Sequence, residues 1–162
     1  MGRSRRLTSC LLVMAALLAG CTDDSEAGRG FLEVAALRDP LMPGHFTAEP
    51  VLLSGQLTLR PNGCVNVVLD GVERVPLWPT GSNVAPDPDN LNGYVVTLPG
   101  GTTLAVDSTS GDHFAAQGII DDHPGPYEVE PGLPTQVGLL VDYCGAEARP
   151  VAFPDATSFT VG

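Results

Sequence analysis

In the middle of the chain, short runs rich in Val and Leu alternate with pairs of turn-forming residues. The pairs Asn62-Gly63 and Asp70-Gly71 separate three such runs, and Pro99-Gly100-Gly101 separates two more. Asn-Gly and Asp-Gly are strong hairpin signals because tight hairpin turns require positive φ angles. The pattern therefore predicts a three-stranded meander over residues 55–79 and a further hairpin over residues 94–106.

The two turns of the meander differ in what their residues allow. Pro61 has no N–H to donate, so the first turn should span three residues and leave Gly63 left-handed in a bulge. At the second turn, a two-residue loop would place charged Arg74 opposite apolar Val67. A bulge that adds one residue to the loop would pair Val67 with Val75 instead. Because a one-residue slip reverses every side chain, we expect the bulged register.

The rest of the chain continues this pattern of short strands and turns. Residues 114–120 predict a strand interrupted by a glycine, residues 136–143 a buried strand, and residues 158–161 a short closing strand. Residues 79–92 and 121–134, rich in proline and polar residues, predict long surface loops. About six to eight short strands with turns between them favour an all-β fold, either a small barrel or a compact sandwich.

The N-terminus has the features of a lipoprotein signal peptide. Three arginines, Arg3, Arg5 and Arg6, precede the apolar residues 11–19, which are too few to span a bilayer. The sequence Leu18-Ala19-Gly20-Cys21 resembles the lipobox of bacterial lipoproteins, in which cleavage precedes a lipid-modified cysteine. That resemblance implies a signal peptide over residues 1–20 and lipidation of Cys21.

The same resemblance implies where the protein is located. Residues 21–30 are polar and contain glycine, so they predict a disordered tether that follows the lipid anchor. Residues 31–162 then form a single domain, with no internal repeat. We expect an extracytoplasmic, lipid-anchored protein of the cell membrane, and we expect it to be a monomer.

Charge narrows the classes of partner. The formal net charge is −11, and all eight basic residues are arginines. Removing residues 1–20 leaves nineteen acids and five arginines, a charge near −14. Nucleic acid is therefore an improbable partner, because binding phosphates requires cationic side chains. Cationic ligands, metals and basic proteins remain open, as does the interpretation that the acids only keep the domain soluble.

The cysteines predict one disulfide. Cys10 leaves with the signal peptide and Cys21 is lipidated, so Cys64 and Cys144 remain in the domain. In an exported chain two such thiols form a disulfide in the simplest case. Closing a loop of about 80 residues would contribute roughly 4 kcal/mol on chain-entropy grounds. A pair of metal-binding or redox thiols is the alternative, but no C-x-x-C motif supports it.

Candidate metal ligands flank one predicted strand, with Asp112 and His113 before it and Asp121, Asp122 and His123 after it. Imidazole and carboxylate groups bind Zn²⁺ or Cu²⁺, and His45 is a further candidate imidazole for such a site. However, a seven-residue strand separates its ends by roughly 20 Å, which favours solvated loop residues. A metal-binding lipoprotein that uses His113, His123 and neighbouring aspartates is the alternative function.

Two aromatic residues form a candidate ligand surface. Trp78 ends the meander and Tyr94 begins the next hairpin, so together they could provide a stacking platform. The alternative is that Trp78 fills the core of a small domain. Motifs for catalysis, such as Gly-x-Ser-x-Gly, His-Glu-x-x-His or a phosphate loop, are not found. We therefore expect neither an enzyme nor a cofactor, with an unrecognised hydrolase as a third hypothesis.

Residues 55–106 carry a family resemblance. The pattern Gly-x-Leu-x-Leu, Gly63-Cys64 and Leu77-Trp78-Pro79-x-Gly81, followed by a Val-Val-x-Leu-Pro-Gly-Gly hairpin, resembles small lipobox-bearing lipoproteins of high-GC Gram-positive (actinobacterial) bacteria. That resemblance implies an OB-like β-barrel and assigns no functional residue. We expect a binding or accessory protein of the cell envelope that presents its loops to a protein or a glycan.

Overall fold

The computed structural model describes residues 30–38, 42–146 and 148–162. The predicted signal peptide, Cys21 and nearly all of the tether lie outside the described residues. Within these ranges the chain forms twelve strands, and six of them have four residues or more. In chain order the strands are β1 (Val51–Leu59), β2 (Val65–Leu69), β3 (Val72–Arg74), β4 (Pro76–Leu77), β5 (Asn83–Pro86), β6 (Gly93–Thr97), β7 (Thr103–Asp107), β8 (His113–Ile120), β9 (Glu128–Glu130), β10 (Leu133–Pro134), β11 (Val151–Ala152) and β12 (Thr160–Val161). The helices in the same ranges are α1 (Gln136–Cys144) and two short 3-10 segments, Val34–Leu37 and Ala156–Ser158.

Six strands form a nearly closed barrel in the order β3-β2-β1-β8-β11-β4. The strands at the two ends of this order, β3 and β4, are separated in sequence only by Val75, so one bent segment of chain closes the barrel. Each pairing in the barrel is antiparallel except that of β4 with β11. Strand β12 pairs with β8 beside β11. The prediction of a small all-β barrel is confirmed.

A second sheet, in the order β5-β6-β7, packs against the barrel. It contains the hairpin predicted over residues 94–106 and adds β5 at one edge. The N–H of Leu57 in β1 donates to the carbonyl of Asp112 at 3.0 Å, which joins the barrel to the chain that follows β7. Buried side chains of this sheet, such as Val96 and Leu104, share one core with Leu57.

Two hydrophobic cores hold these elements together. The larger core has an aromatic centre formed by Trp78, Phe114, Phe153 and Phe159. The smaller core lies beneath α1, where Leu140 packs with Leu77 of β4. The predicted disulfide between Cys64 and Cys144 is confirmed, with Cα atoms 5.6 Å apart. It connects the start of β2 to the last residue of α1.

The prediction of a buried strand over residues 136–143 is wrong, because these residues form α1. Thr135 caps the helix by accepting a hydrogen bond from the N–H of Gly138 at 3.1 Å, and left-handed Gly145 ends it. Three buried side chains recur at helical spacing: Val137, Leu140 and Cys144. A short apolar run is compatible with either element, and here the two caps favour the helix.

The bulged register predicted for the second meander turn is also wrong. The Asp70-Gly71 pair forms a two-residue loop with φ angles of 50° and 77°, and Arg74 lies opposite Val67. The guanidinium of Arg74 donates to the carbonyl of Arg149 at 2.8 Å, which gives the charged group a polar partner in this register. Strand β3 then ends, so buried Val75 belongs to the bend that closes the barrel and not to this register.

The first meander turn is as predicted, with Gly63 at a φ of 86° and its N–H donating to the carbonyl of Arg60 at 2.9 Å. The two predicted loops contain more regular structure than expected. Strand β5 lies within residues 79–92, and the β9–β10 hairpin lies within residues 121–134. Strands β5, β9 and β10 have only two to four residues each, which is too short for an alternating pattern to identify them in the sequence.

Candidate functional site

Tyr94 separates two adjoining cavities on the surface of the domain. One cavity, of about 500 Å³, is lined by Asn62, Gly63, the four residues of β5 and Tyr94. The other, of about 570 Å³, is lined by residues 59–63, Asn92, Tyr94 and Ser108. Because Asn62, Gly63 and Tyr94 line both cavities, we name the two together the Tyr94 groove.

The position of Tyr94 follows from the alternation of β6. Tyr94, Val96 and Leu98 point to the same face, and the last two are buried in the larger core. Tyr94 lies at the beginning of the strand, where that core ends, so its ring is partly exposed. Gly63 allows the first meander turn to approach it, since a Cβ at Gly63 would lie 3.4 Å from the Tyr94 hydroxyl oxygen.

The turn that forms one wall of the groove is fixed to α1. The Asn62 side-chain amide donates to the carbonyl of Tyr143 at 2.7 Å, and the Tyr143 hydroxyl donates to the carbonyl of Asn62 at 3.1 Å. The side-chain oxygen of Asn62 also accepts from the N–H of Cys64 at 3.2 Å, next to the disulfide. The wall is therefore held in place without a ligand, which lowers the entropic cost of binding one.

Arg60, in the groove wall, forms an ion pair with Glu73. Two parallel hydrogen bonds of 2.6 and 2.9 Å join the guanidinium to the carboxylate, and Asn66 donates to the same carboxylate at 2.7 Å. The bonds from Arg60, and to a smaller extent the one from Asn66, hold the pKa of Glu73 below its ordinary value, although burial opposes them. With the arginine neutralised in this way, the groove offers neutral polar groups and one aromatic ring.

Of the two interpretations of Trp78, the structure supports the one in which its ring fills the core and not the one in which it forms a ligand surface. Its side chain is 1% exposed, and its ring lies 6.0 Å from that of Phe153 in the larger core. The hydrophobic effect favours burying so large an apolar ring in a small domain. Trp78 therefore belongs to the core, and of the two predicted aromatic residues only Tyr94 is placed to contact a ligand.

A second polar site, which we name the Asp121 cluster, consists of His45, Asp121, His123, Tyr127 and Arg149. The Asp121 carboxylate is fully buried and accepts four hydrogen bonds. One oxygen accepts from the Tyr127 hydroxyl at 2.6 Å and from His45 Nδ1 at 2.9 Å, and the other accepts from the backbone N–H groups of Phe46 and His123 at 3.1 and 3.3 Å. The His45 ring packs on those of His123 and Tyr127.

Burial and hydrogen bonding shift the pKa values of Asp121 and Tyr127 in this cluster. Burial raises the pKa of Asp121, but the hydrogen bonds from Tyr127 and His45 outweigh it and hold the pKa below its ordinary value. Burial, together with the adjacent Asp121 charge, raises the pKa of Tyr127. Arg149 approaches the Tyr127 hydroxyl at 3.4 Å and donates to the carbonyl of Gly125 at 3.0 Å. The cluster thus connects residues 42–46 to residues 121–127.

The candidate metal ligands are not brought together. His113 and His123 lie at and beyond opposite ends of β8, an eight-residue strand, so one ion cannot contact both. His45 does approach His123, at 4.2 Å between ring centroids. However, His123 Nδ1 accepts from the N–H of Gly125 at 3.1 Å, so the neutral ring carries its proton on Nε2 and lacks a free lone pair there.

The aspartates predicted as metal ligands, although next to His113 and His123 in sequence, do not complete a ligand set with them. Asp112 accepts a hydrogen bond from the N–H of Ala105 at 2.8 Å, beside β7, and Asp122 is exposed. In the described ranges, no group of three or more His, Cys, Asp or Glu side chains is arranged to hold a metal ion. The geometry gives no support to the metal-binding alternative.

In both sites the sequence draws attention to single residues and not to the contacts between them. His45 and Asp121 are 76 positions apart, and no local pattern connects them. The wall formed by Asn62 and Gly63 was recognisable only as a turn.

Among the described residues, no helix is long and apolar enough to cross a membrane. Comparisons with protein-family models, with curated proteins and with solved structures found no significant match to the chain.

Proposed function

We propose that this protein is a lipid-anchored binding protein of the cell envelope, and that the Tyr94 groove is its ligand site. The observation that carries the proposal is the groove itself, with a partly exposed aromatic ring and a wall fixed to α1 by Asn62 and the disulfide. Preformed concave sites with an aromatic surface and a few fixed polar groups are typical of ligand binding. The ligand class is an envelope protein or glycan.

The groove favours binding over catalysis. The described residues that line it include no histidine and no carboxylate, so the hydroxyl of Ser108 has no general base beside it there. Tyr94 offers a ring face for stacking, while Asn83 and Asn92 offer side-chain amides. Such groups hold a neutral polar ligand by stacking and hydrogen bonding.

The expected anchor is compatible with this site. Gly30, the first described residue, lies against the disulfide, since a Cβ there would be 2.8 Å from the Cys64 sulfur. The chain thus enters the domain next to Gly63 in the groove wall. On the expectation that Cys21 carries lipid, a tether of residues 21–30 would hold the domain close to the membrane with its groove near the point of attachment.

The proposal is tested with the full chain expressed in a bacterium that processes lipoproteins. Wild-type protein should partition with membranes and incorporate labelled fatty acid, and Cys21→Ala should lose both. Solubilised wild-type protein should bind isolated cell-envelope material saturably. Tyr94→Ala should weaken that binding about tenfold, the equivalent of one good contact.

The matched control is Leu52→Ala, which removes an exposed apolar side chain from the other end of β1. Envelope binding that is unchanged in Tyr94→Ala, or reduced equally in Leu52→Ala, would contradict the assignment of the groove. Fatty acid incorporation that persists in Cys21→Ala would contradict the anchor. The two parts of the proposal therefore fail separately.

A further inference from the structure

The β5-β6-β7 sheet has one covered edge and one open edge. At the β7 edge, Ala105 forms two hydrogen bonds with Asp112. The Ala105 carbonyl accepts from the N–H of Asp112 at 2.9 Å, and the Ala105 N–H donates to the Asp112 carboxylate at 2.8 Å. Asp107 completes the cover by donating its N–H to the carbonyl of Ser110 at 2.7 Å. No described strand pairs with β5 on the side away from β6.

The register shows which backbone groups this open edge presents. The N–H of Asp87 donates to the carbonyl of Gly93 at 2.9 Å, and this pair continues the register of β5 with β6. Bonded and non-bonded pairs alternate in an antiparallel ladder, so Ala85 directs its N–H and C=O toward β6. Val84 directs its N–H and C=O away from β6, and Pro86 directs its C=O the same way. No described residue is a partner for these groups.

We propose that this edge binds an extended basic polypeptide segment of another protein as an additional β-strand, an inference that rests on the proposed binding function. The β5 residues line one of the two cavities of the Tyr94 groove, so space for a further strand exists beside the edge. Strand addition to an exposed sheet edge is an established mode of peptide recognition.

The backbone groups favour a polypeptide over a glycan. Val84 offers one donor and one acceptor, and Pro86, which lacks an N–H, offers one acceptor. Groups two residues apart along a strand repeat at roughly 7 Å, which is the repeat of the alternate peptide groups in a partner strand. Tyr94 and Pro86 face each other as a non-bonded pair, so the ring lies beside a residue of the edge that the added strand would cover.

The charge of the domain indicates a basic segment. Residues 30–162 contain sixteen acidic residues and four arginines, a net charge of −12. Asp87 directly follows Pro86 at one end of the open edge, and Asp89 lies two residues further on. Arg60 in the opposite wall is paired with Glu73. Lysine and arginine in the partner would be attracted to this edge, and acidic segments would be repelled.

The test uses the isotope-labelled full chain in detergent micelles and the blocked peptide Lys-Thr-Val-Thr-Val-Thr-Val-Lys, methylated on alternate backbone nitrogens. That peptide keeps one edge able to pair and cannot assemble into sheets of more than two strands. It should produce saturable NMR shifts at the amides of Val84 and Tyr94. A peptide methylated on every nitrogen should not bind, and replacing its lysines by glutamates should weaken binding several-fold.

Two variants of the protein complete the test. Val84→Pro removes the outward donor without breaking the bonds to β6 and should weaken binding about tenfold, whereas Val84→Thr keeps the donor and should bind as wild type does. If Val84→Pro does not fold, the fully methylated peptide still tests the ladder through its complementary bonds, in which N–H groups of the peptide donate to the carbonyls of Val84 and Pro86.

Several outcomes would overturn the inference. They are the absence of shifts at Val84, equal binding of the fully methylated peptide, and concentration-dependent pairing of the chain with itself through β5. A β-1,4-linked N-acetylglucosamine trimer that binds in the groove, loses affinity in Tyr94→Ala and keeps it in Val84→Pro would leave the proposed function standing and refute strand addition. No effect of Tyr94→Ala on any ligand would refute both.

Discussion

The Tyr94 groove and the Asp121 cluster are both built where loops meet, and they use their polar groups in opposite ways. In the cluster, every hydrogen-bonding position of the Asp121 carboxylate is filled from within the chain. In the groove, internal bonds fix the wall at Asn62, while the Tyr94 ring and the outer edge of β5 remain accessible. Groups that satisfy one another stabilise the fold, and groups left accessible can bind a partner.

Removing the disulfide should have the largest effect on this comparison, because it anchors the groove side of the molecule. The double variant Cys64→Ala with Cys144→Ala frees a loop with a sequence separation of 80 residues. We expect the free energy of unfolding to fall by roughly 4 kcal/mol, measured by urea denaturation. Hydrogen exchange should accelerate at residues 60–63 more than at residues 42–46. Equal acceleration at both would mean that the two regions are not independent.

Removing the Asp121 carboxylate should break the other region. Asp121→Ala leaves His45, Tyr127 and two backbone N–H groups without their acceptor in a buried site, so we expect a loss of about 3 kcal/mol in urea denaturation. Asp122→Ala changes the exposed neighbouring carboxylate and serves as the control. A loss of similar size in both variants would attribute the effect to the loop and not to the cluster.

Stability measured as a function of acid pH should reveal the contribution of Asp121, because the direction of its pKa shift determines where that contribution is lost. The pKa of Asp121 is lower in the folded protein than its ordinary value of 3.8, so its contribution to stability is complete above that value. The contribution is lost as the pH falls through the folded value, at up to about 1.4 kcal/mol per pH unit. Asp121→Asn should flatten this part of the stability curve. A wild-type slope retained in that variant would assign the acid sensitivity to other groups, such as Glu73.

The smallest effect is expected at the groove wall itself. Asn62→Ala removes the side-chain bonds to Tyr143 and Cys64 at an exposed position, so we expect a loss of about 1 kcal/mol in thermal or urea unfolding. Asn83→Ala, which changes an exposed residue of the same groove, should be close to neutral. In Asn62→Ala, the free energy of ligand binding should change more than the free energy of unfolding, because the wall loses its fixed position. If Asn83→Ala weakened folding as much, the bonds to α1 would not explain the rigidity of the wall.

The sequence predicted the parts of the fold that depend on neighbouring residues. The β6–β7 hairpin and the turn at Gly63 follow from local alternation and from a glycine at positive φ, and both form as expected. Helix α1 was missed because its apolar run is short, and the choice between helix and strand depended on caps at Thr135 and Gly145. The same helix brings Gly138 close to the carbonyl of Tyr127, a contact that no local sequence pattern predicts.

The two polar sites could likewise be predicted only as far as their local sequence patterns allowed. Tyr94 was recognisable as an aromatic residue at a strand end, but the groove around it requires the turn at residues 61–63 to meet β5 in space. The Asp121 cluster joins His45 to a loop 76 residues away, and single histidines in proline-rich segments carry no signal of such a contact. Contacts between distant segments are set by the packing of the whole barrel, which one sequence does not reveal.

The bend at Val75 has a consequence for the order in which the molecule assembles. Closing the barrel requires β4 to pair with β11, where Pro76 meets Val151. That contact spans almost half of the chain and therefore raises the contact order of the fold, which slows folding. During synthesis, β3 and β4 have no completed barrel to join until residues beyond 152 have left the ribosome. A chain truncated before β11 would therefore keep two sheet edges open, and those edges are ready templates for aggregation.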